Sequence, residues 1–221
     1  MKQDTDQNAV LIITGGTIEN EFLEKHLKEE CYNMIIAVDR GLVAADALKL
    51  TLDFIVGDFD SVPPALFDQY KHVSTNIQTF PAEKDKTDTQ IALELALMHQ
   101  ATKIVLVGAT GNRLDHVLGN IHLLLLPMQL KVDAYIIDAK NKIYLKEESF
   151  SISKSMQYGD YVSLLPFSDQ VKGLSLFGFK YPLDRIILLS GSSLGISNEI
   201  KEDQALIDFT EGILTVFETR D

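Results

Sequence analysis

The chain has 221 residues, 46% of them hydrophobic, which suits one large domain or two modest ones with a substantial core. Lys and Arg number 20 against 32 Asp and Glu, and the net charge of −12 repels nucleic acid and anionic membranes, so neither is expected as a partner. Cys31 stands alone, which excludes a disulfide framework and a cysteine-rich zinc site and fits a reducing compartment.

The polar stretch from Met1 to Asn8 lacks the basic-then-apolar order of a signal peptide, and no apolar run reaches membrane-spanning length, so a cytoplasmic location is expected. Ala9 to Thr14 reads as a buried strand, followed by a Gly15-Gly16 turn and a helix to about Glu30. Met34 to Val38 is a second strand, ending in Asp39-Arg40-Gly41 and a helix over Leu42 to Leu50. Phe54 to Val56 is a third, ending at Gly57. A helix from Thr87 to about Met98 leads to strand Lys103 to Val107, and a helix over Arg113 to Leu125 leads to strand Val132 to Ile137. Strands and helices alternating in this way predict a parallel sheet covered on both faces.

Beyond about Lys142 the texture changes. Ser149 to Ser153, Tyr161 to Leu165, Leu174 to Phe177, Arg185 to Leu189 and Ile213 to Phe217 are short alternating runs separated by Gly, Pro or Asp, with no helical pattern between them. They predict an antiparallel β-sandwich. The expected organisation is an α/β parallel-sheet (Rossmann-like) domain over residues 1–142 and a β-sandwich domain over residues 143–221.

Two acidic signatures lie between Gly57 and Asp88: Gly57-Asp58-Phe59-Asp60-Ser61 and Glu83-Lys84-Asp85-Lys86-Thr87-Asp88. Four aspartates brought close together repel unless a cation sits between them, and Mg²⁺ takes hard oxygen ligands together with substrate phosphates. Asp58 and Asp60 follow a strand and lie two apart, so an extended chain there places both carboxylates on one face, at the strand end where open α/β sheets bind ligands. A solvated turn accounts for the same residues. Thr87 to Gln90 has the spacing of a capping box with Thr87 as N-cap, and a helix start favours negative charge. Capping leaves Asp85 between Lys84 and Lys86 unexplained; that run reads either as a site balancing metal against phosphate or as a solvated charge run.

Gly108 to Arg113 leaves a strand and opens a helix, so its amides are placed to cradle phosphate with Arg113 beside them, although no Gly-Lys-Ser/Thr follows. In the helix behind it, Leu114, Val117, Leu118, Ile121, Leu124 and Leu125 make the expected core face, with Arg113, His116 and Asn120 on another stripe. His116 is equally readable as an ordinary half-buried histidine. Gly15-Gly16-Thr17 is either an anion loop or a tight turn. Asp39 and Arg40 end the second strand at the ligand edge, and Ser197-Asn198 lies in a polar, glycine-rich stretch of the second domain.

Taken in order, Asp39-Arg40-Gly41, Gly57 to Ser61, Pro81 to Asp88, Gly108 to His116, Asn120 and Ser197-Asn198-Glu199 resemble the thiamine pyrophosphokinase family over nearly the whole chain. The resemblance implies an enzyme that moves the diphosphate group of ATP to the hydroxyl of thiamine, giving thiamine diphosphate and AMP, in a homodimer with active sites between subunits. It implies Mg²⁺ on Asp58, Asp60 and Asp85, with Asp88, or Asp85 in exchange, orienting or deprotonating the hydroxyl. Lys84, Lys86 and Arg113 would hold the polyphosphate, and Asp115, His116 and Asn120 would support the nucleotide end or its loop. Thr87, Asp39 and Arg40 join the nucleotide side, Ser197 and Asn198 the thiamine side. Glycine is common in the family where this chain has Arg40 and Asn112, so Arg40 either obstructs the site or adds a phosphate ligand, and some relatives stack thiamine on a tryptophan, which this chain lacks. A Tyr or Phe of the sandwich, or a polar pocket, then serves instead. The rival readings are another Mg-dependent nucleotide phosphohydrolase and a non-catalytic thiamine or nucleotide sensor.

Overall fold

The structure is a computed structural model describing residues 8–60, 62–73, 77–79 and 85–221. The chain divides after Ala139 into two compact units. The first contains β1 (Ala9–Ile13), α1 (Asn20–Glu29), β2 (Met34–Val38), α2 (Gly41–Ala47), β3 (Phe54–Gly57), α3 (Pro64–Val73), β4 (Ile77–Thr79), α4 (Asp88–Met98), β5 (Lys103–Val107), α5 (Leu114–Leu123), α6 (Leu125–Gln129) and β6 (Asp133–Ile137). Its strands run in the order β4-β3-β2-β1-β5-β6, and every pairing is parallel.

The unbroken apolar runs of β1 and β5 are buried on both faces, as parallel strands covered by helices must be. Leu11, Ile13, Ala37, Leu42, Ile55 and Val105 form the centre of one core layer, closed over by Leu23 of α1. The chain builds outward from β1 to β4, then restarts on the other side with β5. The chain therefore goes on from β1 to β2 on one side and from β5 to β6 on the other, and ligands in open α/β sheets bind at such a switch point, outside the carboxyl ends of the strands.

Two features depart from expectation. Helix α3 and strand β4 fill a stretch that reads as loop, because Pro63-Pro64 marks a turn; proline is also favoured at the first helical position, and α3 starts there. In α5 the predicted core face holds only in its second half. Ile121 and Leu124 are buried, but Leu118 is exposed and Leu114 is 77% exposed.

The second unit contains β7 (Asn141–Lys146), β8 (Phe150–Ser153), β9 (Tyr161–Pro166), β10 (Gln170–Phe177), β11 (Leu183–Leu189), β12 (Gln204–Asp208) and β13 (Leu214–Thr219). β13 lies between β7 and β9, and β11-β10-β12-β8 form a separate sheet; all these pairings are antiparallel. Val162, Leu164, Val171, Leu174, Leu188, Ile207 and Val216 are among its buried side chains, and β12 alternates exposed and buried residues along its length.

Candidate active site

The site begins where β2 ends. Gly41 packs so closely on the Ile13 carbonyl that no side chain fits, which starts α2 hard against β1. The turn between them puts Asp39 in the left-handed region, φ 46. Its carboxylate then lies over the α-carbon of Gly57, the last residue of β3, which itself has φ 150.

The acidic segment after β3 is not extended. Phe59 is buried with φ 62 and stacks on Phe67 of α3, ring centroids 4.3 Å apart. Burying that ring turns the chain, and the Asp58 carboxylate accepts the amide N–H of Asp60 at 3.1 Å. The expectation that Asp58 and Asp60 share one strand face is therefore corrected: Asp58 is half-buried in its own turn, and Asp60 is exposed.

Burial, followed by the charges of Asp88 and Asp58, pushes the Asp39 carboxyl up to about 6, against the amides of Phe59 and Asp58 that face it. Oδ1 of Asp39 is buried and has no hydrogen-bond partner among the described residues. Three carboxylates sharing one field, with a buried acceptor oxygen to spare, fit a hard divalent cation. Among the described residues no three acid, histidine or cysteine side chains are gathered closely enough to make a finished metal site. Asp60 and Asp85 are exposed.

Asp88 is the first residue of α4 and is half-buried. Thr87 caps the helix as expected, accepting the Gln90 N–H at 3.2 Å, while the Gln90 side chain turns forward and donates to Glu94 at 3.0 Å. Lys86 is paired with Glu94 at 2.7 Å. Ser61 and Lys84 lie outside the described residues.

At the switch point the two glycine loops knit together. The amides of Gly16 and Thr17 donate to the carbonyls of Gly108 and Thr110 at 2.8 and 2.9 Å, and a Cβ at residue 16 would strike both carbonyls. Gly15-Gly16-Thr17 is thus accounted for as a tight turn. Asn120 donates to the Ala109 carbonyl at 2.9 Å, and Thr110 Oγ1 donates to Asp138 at 2.8 Å, so the β5–α5 loop is braced from both sides. Asp138 escaped notice in the sequence; its signal is the one Asp39 carries, an acid directly after a parallel strand. Arg113 is exposed and donates to both oxygens of Asp115, at 2.6 and 3.3 Å, which draws the Asp115 carboxyl down to about 2. Arg40 and His116 are exposed.

In the second unit, Asn198 is buried and works inward. Its Oδ1 accepts the amides of Tyr181 and Glu199 at 3.0 and 2.9 Å, and its Nδ2 donates to the Tyr181 carbonyl at 2.8 Å. Ser197 is exposed with φ 54, and its amide donates to Ser163 Oγ at 2.9 Å. The residue whose backbone Asn198 holds is Tyr181, which is 59% exposed, with the Lys180 ammonium 5.5 Å from its ring centroid. Lys180 is in turn paired with Glu199 at 2.6 Å. Tyr181 was not visible as a candidate because its partner lies in a different loop.

Two family models match the chain: thiamin pyrophosphokinase, catalytic domain, over residues 25–136, and thiamin pyrophosphokinase, vitamin B1 binding domain, over residues 147–214. The thiamine pyrophosphokinase of Bacillus subtilis is 35% identical over 192 residues, 86% of this chain and 89% of that protein. The crystal structure of thiamine pyrophosphokinase from Bacillus subtilis superposes with a TM-score of 0.86 at 32% identity, covering 96% of this chain and 99% of that one. That of thiamin pyrophosphokinase from Geobacillus thermodenitrificans does so with a TM-score of 0.83 at 33% identity, covering 96% and 98%.

Proposed function

The chain belongs to the thiamin pyrophosphokinase family, and from that premise we propose which of its residues carry the transfer of a diphosphate group from ATP to the hydroxyl of thiamine. The observation that supports the assignment is the shared field of Asp39, Asp58 and Asp88 at the carboxyl edge of the parallel sheet. Asp58, Asp60 and Asp85 would hold Mg²⁺, which when bound neutralises charge on the phosphates. Asp88, half-buried at the start of α4, orients the thiamine hydroxyl and takes its proton as the oxygen attacks Pβ. A bond forms from that oxygen to Pβ, the bond from Pβ to the bridging oxygen of Pα breaks, and AMP leaves with that oxygen. The protein's task is alignment and charge stabilisation.

Lys84, Lys86 and Arg113 hold the polyphosphate, with Thr87, Asp39 and Arg40 around them; Asp115, His116 and Asn120 support the nucleotide end. Tyr181, fixed by Asn198 beside Ser197, offers thiamine the aromatic surface that tryptophan offers in some relatives. A homodimer is supported by the apolar side chains Phe177, Ile187, Leu189 and Leu206 that the four-stranded sheet leaves exposed. The single cysteine supports a cytoplasmic location, and among the described residues no helix is long and apolar enough to cross a membrane.

The test is AMP formation with and without thiamine in the parent and in Asp60→Asn. The parent requires thiamine; the variant forms no AMP and melts at the parental temperature. AMP formation retained in Asp60→Asn overturns the assignment of the metal ligands.

A further inference from the structure

We propose that Glu94 is a tether that competes with the nucleotide for Lys86: it holds the Lys86 ammonium along the first turns of α4 until the polyphosphate draws that cation away. The proposal rests on the reading of Lys86 as a polyphosphate ligand.

Lys86 sits one residue before the N-cap of α4, and Glu94 lies seven residues into the helix. At 1.5 Å per residue the Glu94 backbone is about 10 Å along the axis from Thr87, and its side chain leans back toward Gln90 and the helix start. Lys86 reaches it, with Nζ at 2.9 Å from Oε1 and 2.7 Å from Oε2. Gln90 donates to Oε1 at 3.0 Å and so fixes the carboxylate that receives the lysine. A lysine eight residues away is no ordinary helical pair, which would be three or four apart. The arrangement turns the Lys86 ammonium toward Glu94 and away from Asp85, the acid beside it in the chain. The same logic recurs at α5, where Asp115 holds Arg113 at 2.6 Å.

The Lys86 and Glu94 side chains are 49% and 34% exposed, so the pair is weak enough to be exchanged. A polyphosphate, with several charges and acceptor oxygens, outcompetes one carboxylate for the ammonium. Glu94 therefore lowers nucleotide affinity by a few-fold, the range of an exposed ion pair.

Calorimetric titration of the full chain with Mg²⁺ and α,β-methylene-ATP tests this in the parent, Glu94→Gln, Lys86→Met and the double variant. Glu94→Gln is expected to bind the analogue about two- to fivefold tighter. The gain disappears in the Lys86→Met background, and in turnover the KM for ATP falls while that for thiamine stays. Equal or weaker binding by Glu94→Gln overturns the proposal. So does an equal gain in both backgrounds, which would report only the lost charge. If Lys86→Met binds the analogue as tightly as the parent, Lys86 is no polyphosphate ligand and the proposal falls with that reading. Weakened binding by Lys86→Met without coupling to Glu94 defeats the proposal alone.

Discussion

Asp39 and Gly57 compete for one space: the Asp39 carboxylate lies over the Gly57 α-carbon, where a β-carbon would fall on Oδ1. Gly57 also holds φ 150, a conformation that side chains disfavour. Gly57→Ala must displace the carboxylate and strain the turn, which costs about 2–4 kcal/mol by denaturant unfolding. Because the same turn carries Asp58, AMP formation should fall at least about tenfold, equivalent to ~1.4 kcal/mol in the barrier. Parental stability in this variant would show that the carboxylate has other room.

Asp39 also sets a pH dependence. Its folded-state carboxyl is pushed up to about 6 from an ordinary 3.8, so the folded chain binds the additional proton between those values. Stability from this group is complete below about pH 4 and is lost as the pH rises through 6. In metal-free protein the stability difference between Asp39→Asn and the parent should therefore grow in favour of the variant from pH 4 to pH 7. A difference that is flat over that window removes Asp39 from the acid field.

The layout of the parallel sheet is legible in the sequence because Val10 to Ile13 and Ile104 to Val107 are unbroken apolar runs that only a strand buried on both faces can use. The capping role of Thr87 is legible for the same kind of reason, since N-cap chemistry is local. The path of the acidic turn is not. An aromatic residue between two aspartates matches strand alternation, and what turns the chain is the contact of Phe59 with Phe67, eight residues on in a helix hidden behind Pro63-Pro64. Asn198 reads as a ligand residue until its amide is seen closed on Tyr181, a partner no periodicity connects to it.

That closure makes a prediction about the acceptor. Asn198→Ala leaves the Tyr181 and Glu199 amides without their acceptor and should cost about 2–3 kcal/mol of stability. Tyr181→Ala should raise the KM for thiamine about tenfold or more, about 1.4 kcal/mol of lost aromatic contact, and spare the KM for ATP. Tyr181→Phe keeps the ring and should stay within about twofold of the parent, because a ring face needs no hydroxyl. If Tyr181→Ala leaves the thiamine KM unchanged, another surface meets the ring.

Glu218 tests the second unit's core apart from its chemistry. It is 2% exposed on β13, in register with Lys142 of β7. One carboxylate oxygen accepts the Tyr158 N–H at 2.8 Å, and the other lies 3.6 Å from the Lys142 ammonium. Glu218→Ala abandons both contacts and should destabilise by about 3 kcal/mol, the scale for breaking a buried pair from one side. Glu218→Gln still accepts the Tyr158 amide and should lose about 1 kcal/mol. Urea unfolding of the two variants separates the contributions: if the glutamine variant is as unstable as the alanine one, the attraction to Lys142 rather than the Tyr158 amide holds this part of the sheet.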